Sequence, residues 1–169
     1  MACALTSSYT FVGCGGGAGG IKEVLLVEAA NVSGYTLTSN VVTAITMVAT
    51  KVWRRYVLDK EMGSFSFNMT KAATGAIVYE PTVDFTIKTL TIATQAEILL
   101  IARNQLMMIV KDTNDVYWAL GFDRYMELMS AGAESGTAMA DFNGNKLSFK
   151  GKEVTHAYTV SSGIISGLL

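Results

Sequence analysis

Residues 63–71, "GSFSFNMTK", and residues 76–90, "AIVYEPTVDFTIKTL", carry the pattern that decides the fold. Apolar and polar side chains alternate in both stretches, with the period of two that indicates a β-strand with one buried and one wet face. The intervening "AATG" at 72–75 has the composition of a turn. The sequence therefore predicts a long hairpin over residues 63–90. Pro81 should mark an edge or a bulge, because proline has no N–H to donate.

Further strands are predicted around this hairpin from stretches rich in Val, Ile, Thr and aromatic residues. They cover residues 21–29, 41–47 and 51–59, and a second hairpin over residues 106–122. Residues 133–145 are predicted as a loop with an Asn-Gly turn, and residues 146–153 and 156–169 as strands or a C-terminal tail. Residues 31–40, "NVSGYTLTSN", are instead predicted as a turn-like segment because they are rich in Ser, Thr, Asn and Gly.

One segment favours a helix. Thr94 and Glu97 have capping-box spacing, and the following "AEILLIARN" has a broad apolar face, which predicts a helix at about residues 93–104. With about eight strands, this indicates a mainly β fold: an antiparallel β-sandwich or barrel with one flanking helix and extended N- and C-terminal arms. The apolar C-terminal residues predict a docked tail.

The length of 169 residues fits one domain, so we expect an N-terminal arm at 1–20 and a single β-sandwich domain with its C-terminal tail at 21–169. Hydrophobic residues make up 50% and charged residues 16%, which favours self-association. The net charge of −1 does not favour a basic nucleic-acid surface. No run of about 18 apolar residues predicts a membrane span, and the N-terminus has no secretory signal.

The glycine-rich stretch "GGGAGG" is the strongest hint of a cofactor site, because Gly15, Gly17 and Gly20 match the dinucleotide pattern G-x-G-x-x-G. The match lacks its context: residues 21–29 are predicted as a strand rather than a helix, and no carboxylate follows Glu28 before Asp59. We therefore expect a flexible connector and no cofactor.

No other arrangement of residues predicts catalysis or metal binding. Cys3 and Cys14 form no C-x-x-C pair, and the one histidine, His156, has no Asp, Ser or Cys partner close in sequence. We expect two free thiols, with an N-terminal disulfide as the alternative. The sequence thus predicts a protein that is not an enzyme.

Four segments of the sequence are similar to a known family: "CALTSSYTFVGCGGGAGGIKEVLLVE", "VWRRYVLDKEMGSFSFNMTKAATGAIVYEPTVDFTIKTL", "RNQLMMIVKDTNDVYWALGFD" and "AESGTAMADFNGNKLSFKGKE". Together they resemble virion structural proteins of tailed bacteriophages, in particular tail-tube-like proteins of phages that infect Bacteroidetes. The similarity covers most of the chain and rests on packing and turn patterns.

This resemblance implies a tail tube protein that stacks as rings around a DNA-conducting channel in the virion, after assembly in the cytoplasm of the host bacterium. Its partners would be further copies of itself, other virion proteins and DNA in transient, non-specific passage, with no membrane. In this interpretation the hairpin's polar face lines the channel, through Ser64, Ser66, Asn68, Thr70, Thr82 and Thr86. The N-terminal arm would bridge to a neighbouring subunit, through Cys3, Cys14, Gly15, Gly17 and Gly20.

Two other interpretations stay open. The chain could be another virion part of the same style, such as a capsid decoration protein or a head–tail ring protein. It could also be a ligand-binding β-barrel, although a monomeric barrel has no need of terminal arms. Microscopy of the purified protein separates these possibilities most directly.

Overall fold

A computed structural model of the chain describes residues 17–138 and 141–169. It confirms a mainly β fold with one main helix. The strands are β1 Ile21–Glu28, β2 Val32–Thr38, β3 Val41–Met47, β4 Arg54–Val57, β5 Gly63–Lys71, β6 Ile77–Lys88, β7 Leu106–Asp112, β8 Tyr117–Leu120, β9 Met126–Glu134, β10 Gly144–Gly151 and β11 Tyr158–Val160. The helices are α1 Ile92–Arg103 and α2 Ser162–Ile165, with a single 3-10 turn at Ala29–Asn31.

The strands form two facing layers. The front sheet has the order β5-β6-β10-β9, and the back sheet has the order β4-β1-β7-β8-β11-β3-β2. The two sheets are joined where Leu106 on β7 pairs with Met126 on β9. All pairings are antiparallel except the short parallel contact of β11 with β3.

A hydrophobic core fills the space between the two sheets. Val24 and Met108 from the back sheet meet Phe85 and Phe149 from the front sheet, and all four side chains are almost fully buried. Helix α1 closes one flank of this core through Ile98 and Ile101. Burial on this scale is the main term that stabilises a sandwich.

A second core lies on the other side of the back sheet. Strands β1 and β7 contribute side chains to both cores, as expected for near-continuous apolar strands buried on two faces. The C-terminal residues Ile165 and Leu168 are buried in this second core, and the Leu168 carbonyl accepts a hydrogen bond of 2.9 Å from the Trp53 backbone N–H. The predicted docking of the tail is confirmed, but the tail packs as the short helix α2 rather than extending as an arm.

Two local predictions were wrong. Residues 31–40 are not a turn-like segment, since most of them form β2, and the turn itself is confined to Ser39 and Asn40, both with positive φ. Val32, Tyr35 and Leu37 favour a strand more strongly than the interspersed Ser and Gly oppose it. Helix α1 is capped not by Thr94 but by Thr91, whose Oγ1 accepts a hydrogen bond of 3.1 Å from the Thr94 N–H.

The central hairpin matches its predicted bounds and turn. Strands β5 and β6 pair without a shift from Gly63↔Phe85 to Lys71↔Ile77. Pro81 lies at a break in the pairing of β6 with the next strand: the ladder to β10 ends at Thr82, and only a single bridge, from Tyr79 to Glu153, continues beyond it. In the part of the chain that the structure describes, no helix is long and apolar enough to cross a bilayer.

Candidate assembly surface

The six residues predicted to line a channel lie on one face of the hairpin. The first four, on β5, are exposed and the two threonines on β6 are half-buried. Cross-strand pairing joins Ser66 to Thr82, while Phe65 pairs with Val83 on the opposite, core-facing side. The strand period of two thus separates the wet and apolar residues as the sequence predicts. Thr86 differs from the others, since its hydroxyl donates to the Met62 carbonyl at 3.3 Å.

Strands β10 and β9 extend this polar face across the whole front sheet. One cross-strand row contains, in the order β5-β6-β10-β9, Ser64, Asp84, Ser148 and Ser130. The next row contains Ser66, Thr82, Lys150 and Glu127. We call this surface, formed by residues 64–70, 78–88, 127–134 and 144–150 that point away from the core, the polar front face.

Sequence reasoning missed β9, whereas residues 146–153 were predicted as a strand or part of a C-terminal tail and do form most of β10. Residues 133–145 were interpreted as a loop, and the loop is shorter, because β9 runs to Glu134 and β10 begins at Gly144. In β10, Lys146, Ser148 and Lys150 alternate with Leu147 and Phe149. In β9 the alternation of polar and apolar residues is interrupted, because its pairing with β10 shifts register between Ser148 and Phe149.

Charges on the polar front face are mixed and partly neutralised. Lys146 Nζ lies 2.8 Å from a Glu134 carboxylate oxygen, and Lys152 Nζ lies 3.7 Å from Glu80. Asp84 and Glu127 add negative charge, and the four strands of the front sheet carry as many lysines as carboxylates. Such exposed pairs contribute little to stability, and their main effect is on the local potential.

Both lateral edges of the front sheet lack a strand partner among the described residues. On one side β5 ends the sheet, and on the other β9 pairs with β7 only at Met126. Each edge strand is nine residues long. Free edges of this length present unpaired N–H and C=O groups that can pair with another chain.

The part of the N-terminal connector that the structure describes is fastened to the β7–β8 turn. Asn114 Oδ1 accepts from the Ala18 N–H at 3.2 Å, and the Thr113 N–H donates to the Gly20 carbonyl at 3.3 Å. Gly20 has a φ of +98°, a conformation that favours glycine. A Cβ at Gly17 would come within 3.2 Å of the Asn114 side chain.

The other arm residues, Cys3, Cys14 and Gly15, lie outside the described residues. The segment after the glycines is strand β1, as predicted, so the helix that a dinucleotide loop needs does not follow Gly20. In the described ranges 17–138 and 141–169, no three His, Cys, Asp or Glu side chains cluster as metal ligands would.

Two titratable groups are perturbed near the ends of the sheets. Burial raises the pKa of the Glu153 carboxyl, and an N–H···O contact of 3.4 Å from the Asp123 backbone opposes this rise. Burial, followed by the nearby charge of Glu97, raises the pKa of Tyr56 to about 12. Glu153 and Tyr56 both lie away from the polar front face, so they bear on stability rather than on that surface.

The comparisons with known proteins add no identification. No family model matches the chain, and no curated protein or solved structure matches it either.

Proposed function

We propose that the chain is the structural subunit of a ring that stacks into a tube, and specifically a tail tube protein of a bacteriophage virion. One observation carries this proposal: the front sheet combines a polar outer face with a free nine-residue strand at each edge. Free edges of this length do not serve an isolated monomer, because they are an aggregation hazard unless they are paired.

The strand directions permit ring closure. The front sheet has an even number of antiparallel strands, so β5 and β9 run in opposite directions. When β5 of one copy lies beside β9 of the next, the antiparallel order continues across the junction. The same head-to-tail contact repeats around a ring until the rotation closes, and closure removes every free edge of the front sheets.

A ring of this kind would enclose a channel. Barrels of about 16–18 strands already leave an aqueous passage, so roughly four or more copies with four strands each would be needed. Val83, Phe85, Leu147 and Phe149 of the front sheet are buried in the core, which leaves the polar front face for the inner wall. Hydroxyls, together with lysines that are matched in number by carboxylates, would offer few contacts to the phosphates of passing DNA.

Assignment to a phage tail rests on the resemblance of the four sequence segments to tail-tube-like proteins. A capsid decoration or head–tail ring protein is the alternative within the virion. The ligand-binding barrel has less support, because the space between the two sheets is filled by core side chains. A groove of about 870 Å³ does exist, but it opens on the polar front face.

Electron microscopy of the purified protein, with sedimentation over a range of concentrations and salt, tests the proposal. We expect rings or tubes with a central passage. A species that sediments only as an 18.1 kDa monomer under all these conditions would refute the proposal. Closed rings that never stack would favour the head–tail ring protein instead.

A further inference from the structure

Several of the exposed apolar side chains lie on the hairpin and on α1, at opposite sides of the front sheet. Met69 on β5 is 60% exposed, and Ile77 on β6, which pairs with Lys71, is 43% exposed. At the other edge, Ile92 and Leu99 on α1 are 91% and 52% exposed. Covering these exposed apolar side chains with another protein surface would be favourable, because it removes them from water.

The first apolar surface is the core-facing side of the hairpin where it passes beyond the core. Phe65 and Phe67 pack against Trp118 with ring centroids 6.2 and 5.9 Å away, but both remain half-buried. Met69 and Ile77 follow on the same side with less cover. We call Phe65, Phe67, Met69 and Ile77 the hairpin underside.

The second apolar surface is a stripe along α1 formed by Ile92, Ala96 and Leu99, at helical spacing i, i+4 and i+7, and the charged Arg103 follows at i+11. All four residues are exposed. We call Ile92, Ala96 and Leu99 the helix stripe.

The direction of the helix stripe follows from the contacts of neighbouring helix positions. Gln95 donates to Asn145 on β10 at 2.6 Å, and Leu99, four residues later, lies on the same side of the helix. Glu97 instead meets Tyr56 on β4 at 3.4 Å, and Leu100 lines a groove on that opposite side. The helix stripe lies opposite the buried Ile98 and Ile101, so it faces outward from the flank that α1 closes, with Leu99 nearer the Gln95 side.

We infer that the helix stripe of one copy covers the hairpin underside of the next copy in the ring, an inference that rests on the proposed function. When β5 pairs beside β9, the core-facing side of one front sheet continues into that of its neighbour. The hairpin underside of one copy then lies beside α1 of its neighbour, on the core-facing side of β9. The hydrophobic core thereby extends across the junction between subunits, which supplies apolar burial that edge hydrogen bonds alone do not.

Photo-crosslinking tests this inference and offers a matched control. p-Benzoylphenylalanine in place of Leu99 should, on irradiation of assembled protein, crosslink to residues 63–79 of another copy, identified by peptide mass spectrometry. The same group in place of Leu100, which is 55% exposed but faces β4, should give no such product. Rings that form without the Leu99 crosslink would overturn the inference and leave the proposed function standing, whereas absence of rings would refute both.

A second measurement checks the energetic role. Leu99→Ser should raise the concentration needed for assembly by about 10–100-fold, because one leucine loses its burial in every junction. Leu100→Ser should change this concentration little, and both variants should melt like the parent since both leucines are exposed in the single chain. Equal effects of the two substitutions on assembly would contradict the inference.

Discussion

Phe85 on β6 stacks on Phe149 on β10, with ring centroids 5.4 Å apart and ring planes within 6° of each other, on the core side of the polar front face. Both rings are almost fully buried. This pair packs the two central strands of the front sheet against the back sheet.

Truncation of this pair should cost far more than truncation at the hairpin edge. Phe85→Ala removes a fully buried ring and is expected to lower the free energy of unfolding by about 3–5 kcal/mol. Phe67→Ala should cost only about 1–2 kcal/mol in the isolated subunit, since Phe67 is half-buried. Denaturant unfolding of both variants measures the difference, and equal losses would contradict the burial described here.

Charge should be tolerated on the polar front face. Ser64→Lys combined with Ser66→Lys is expected to leave the subunit folded, within about 0.5 kcal/mol per substitution, because both side chains are exposed. We prefer these positions to Thr86, whose hydroxyl is bonded to the Met62 carbonyl. Phe65→Lys, one residue away on the core side, is the control that should unfold.

The same double lysine variant tests whether the polar front face lines the channel. If the polar front face lines it, tubes of the variant should assemble and retain short duplex DNA at low salt, with retention falling steeply as salt rises. Tubes that assemble but show no change in DNA retention would place this face elsewhere on the particle and favour the decoration or ring protein.

Half of the front sheet could be predicted from sequence because its signal is local. In the hairpin, Phe65, Phe67, Val83 and Phe85 alternate with polar residues without interruption, and a period of two fixes which face is wet. Helix α1 was predicted within one residue at each end for the same reason, since its composition and length carry their own signal.

Strand β9 depends on pairing that a local pattern does not contain. In β9 the register shift and the small residues Ser130, Ala131 and Gly132 remove the alternation. β9 forms a strand because its backbone pairs with β10. The free edges and the helix stripe are likewise products of topology, since only the strand order reveals which side of β5 and β9 is left unpaired.

Glu153 should make stability depend on pH. Burial raises its pKa, so the protonated form is favoured in the folded state. Its contribution is fully present below the ordinary glutamate pKa of about 4.3 and is lost as pH rises through the folded value. Glu153→Gln should therefore be more stable than the parent at neutral pH, with the difference vanishing near pH 4. Thermal melts at both pH values check this, with the exposed Glu127→Gln as control; a less stable Glu153→Gln at pH 7 would refute it.

Removal of residues 1–16 should separate folding from assembly. The deletion leaves the hydrogen bonds of Ala18 and Gly20 to the β7–β8 turn in place, so the melting temperature of the subunit should hardly change. If the arm bridges to a neighbouring subunit, assembly should require higher protein concentration or lower temperature. Sedimentation of truncated and full-length protein side by side measures this, and identical assembly would refute the bridging role of the arm.

Adjacent prolines in β9 give the most direct test of the lateral junction. Successive residues of a strand direct their N–H groups to opposite sides, so Ser130→Pro and Ala131→Pro remove one N–H that points at β10 and one that points at the free edge. The proline that removes the N–H toward β10 should destabilise the subunit by the order of 1 kcal/mol or more, because a hydrogen bond of the ladder is lost. The proline that removes the N–H toward the free edge should fold nearly normally and yet fail to form rings, since proline blocks strand addition at an edge. The melting temperature shows which of the two variants has lost the hydrogen bond to β10, and electron microscopy then shows whether rings form. If the variant that folds normally also forms normal rings, β9 does not lie in the junction, and neither the β5–β9 pairing nor the helix stripe can hold the ring together.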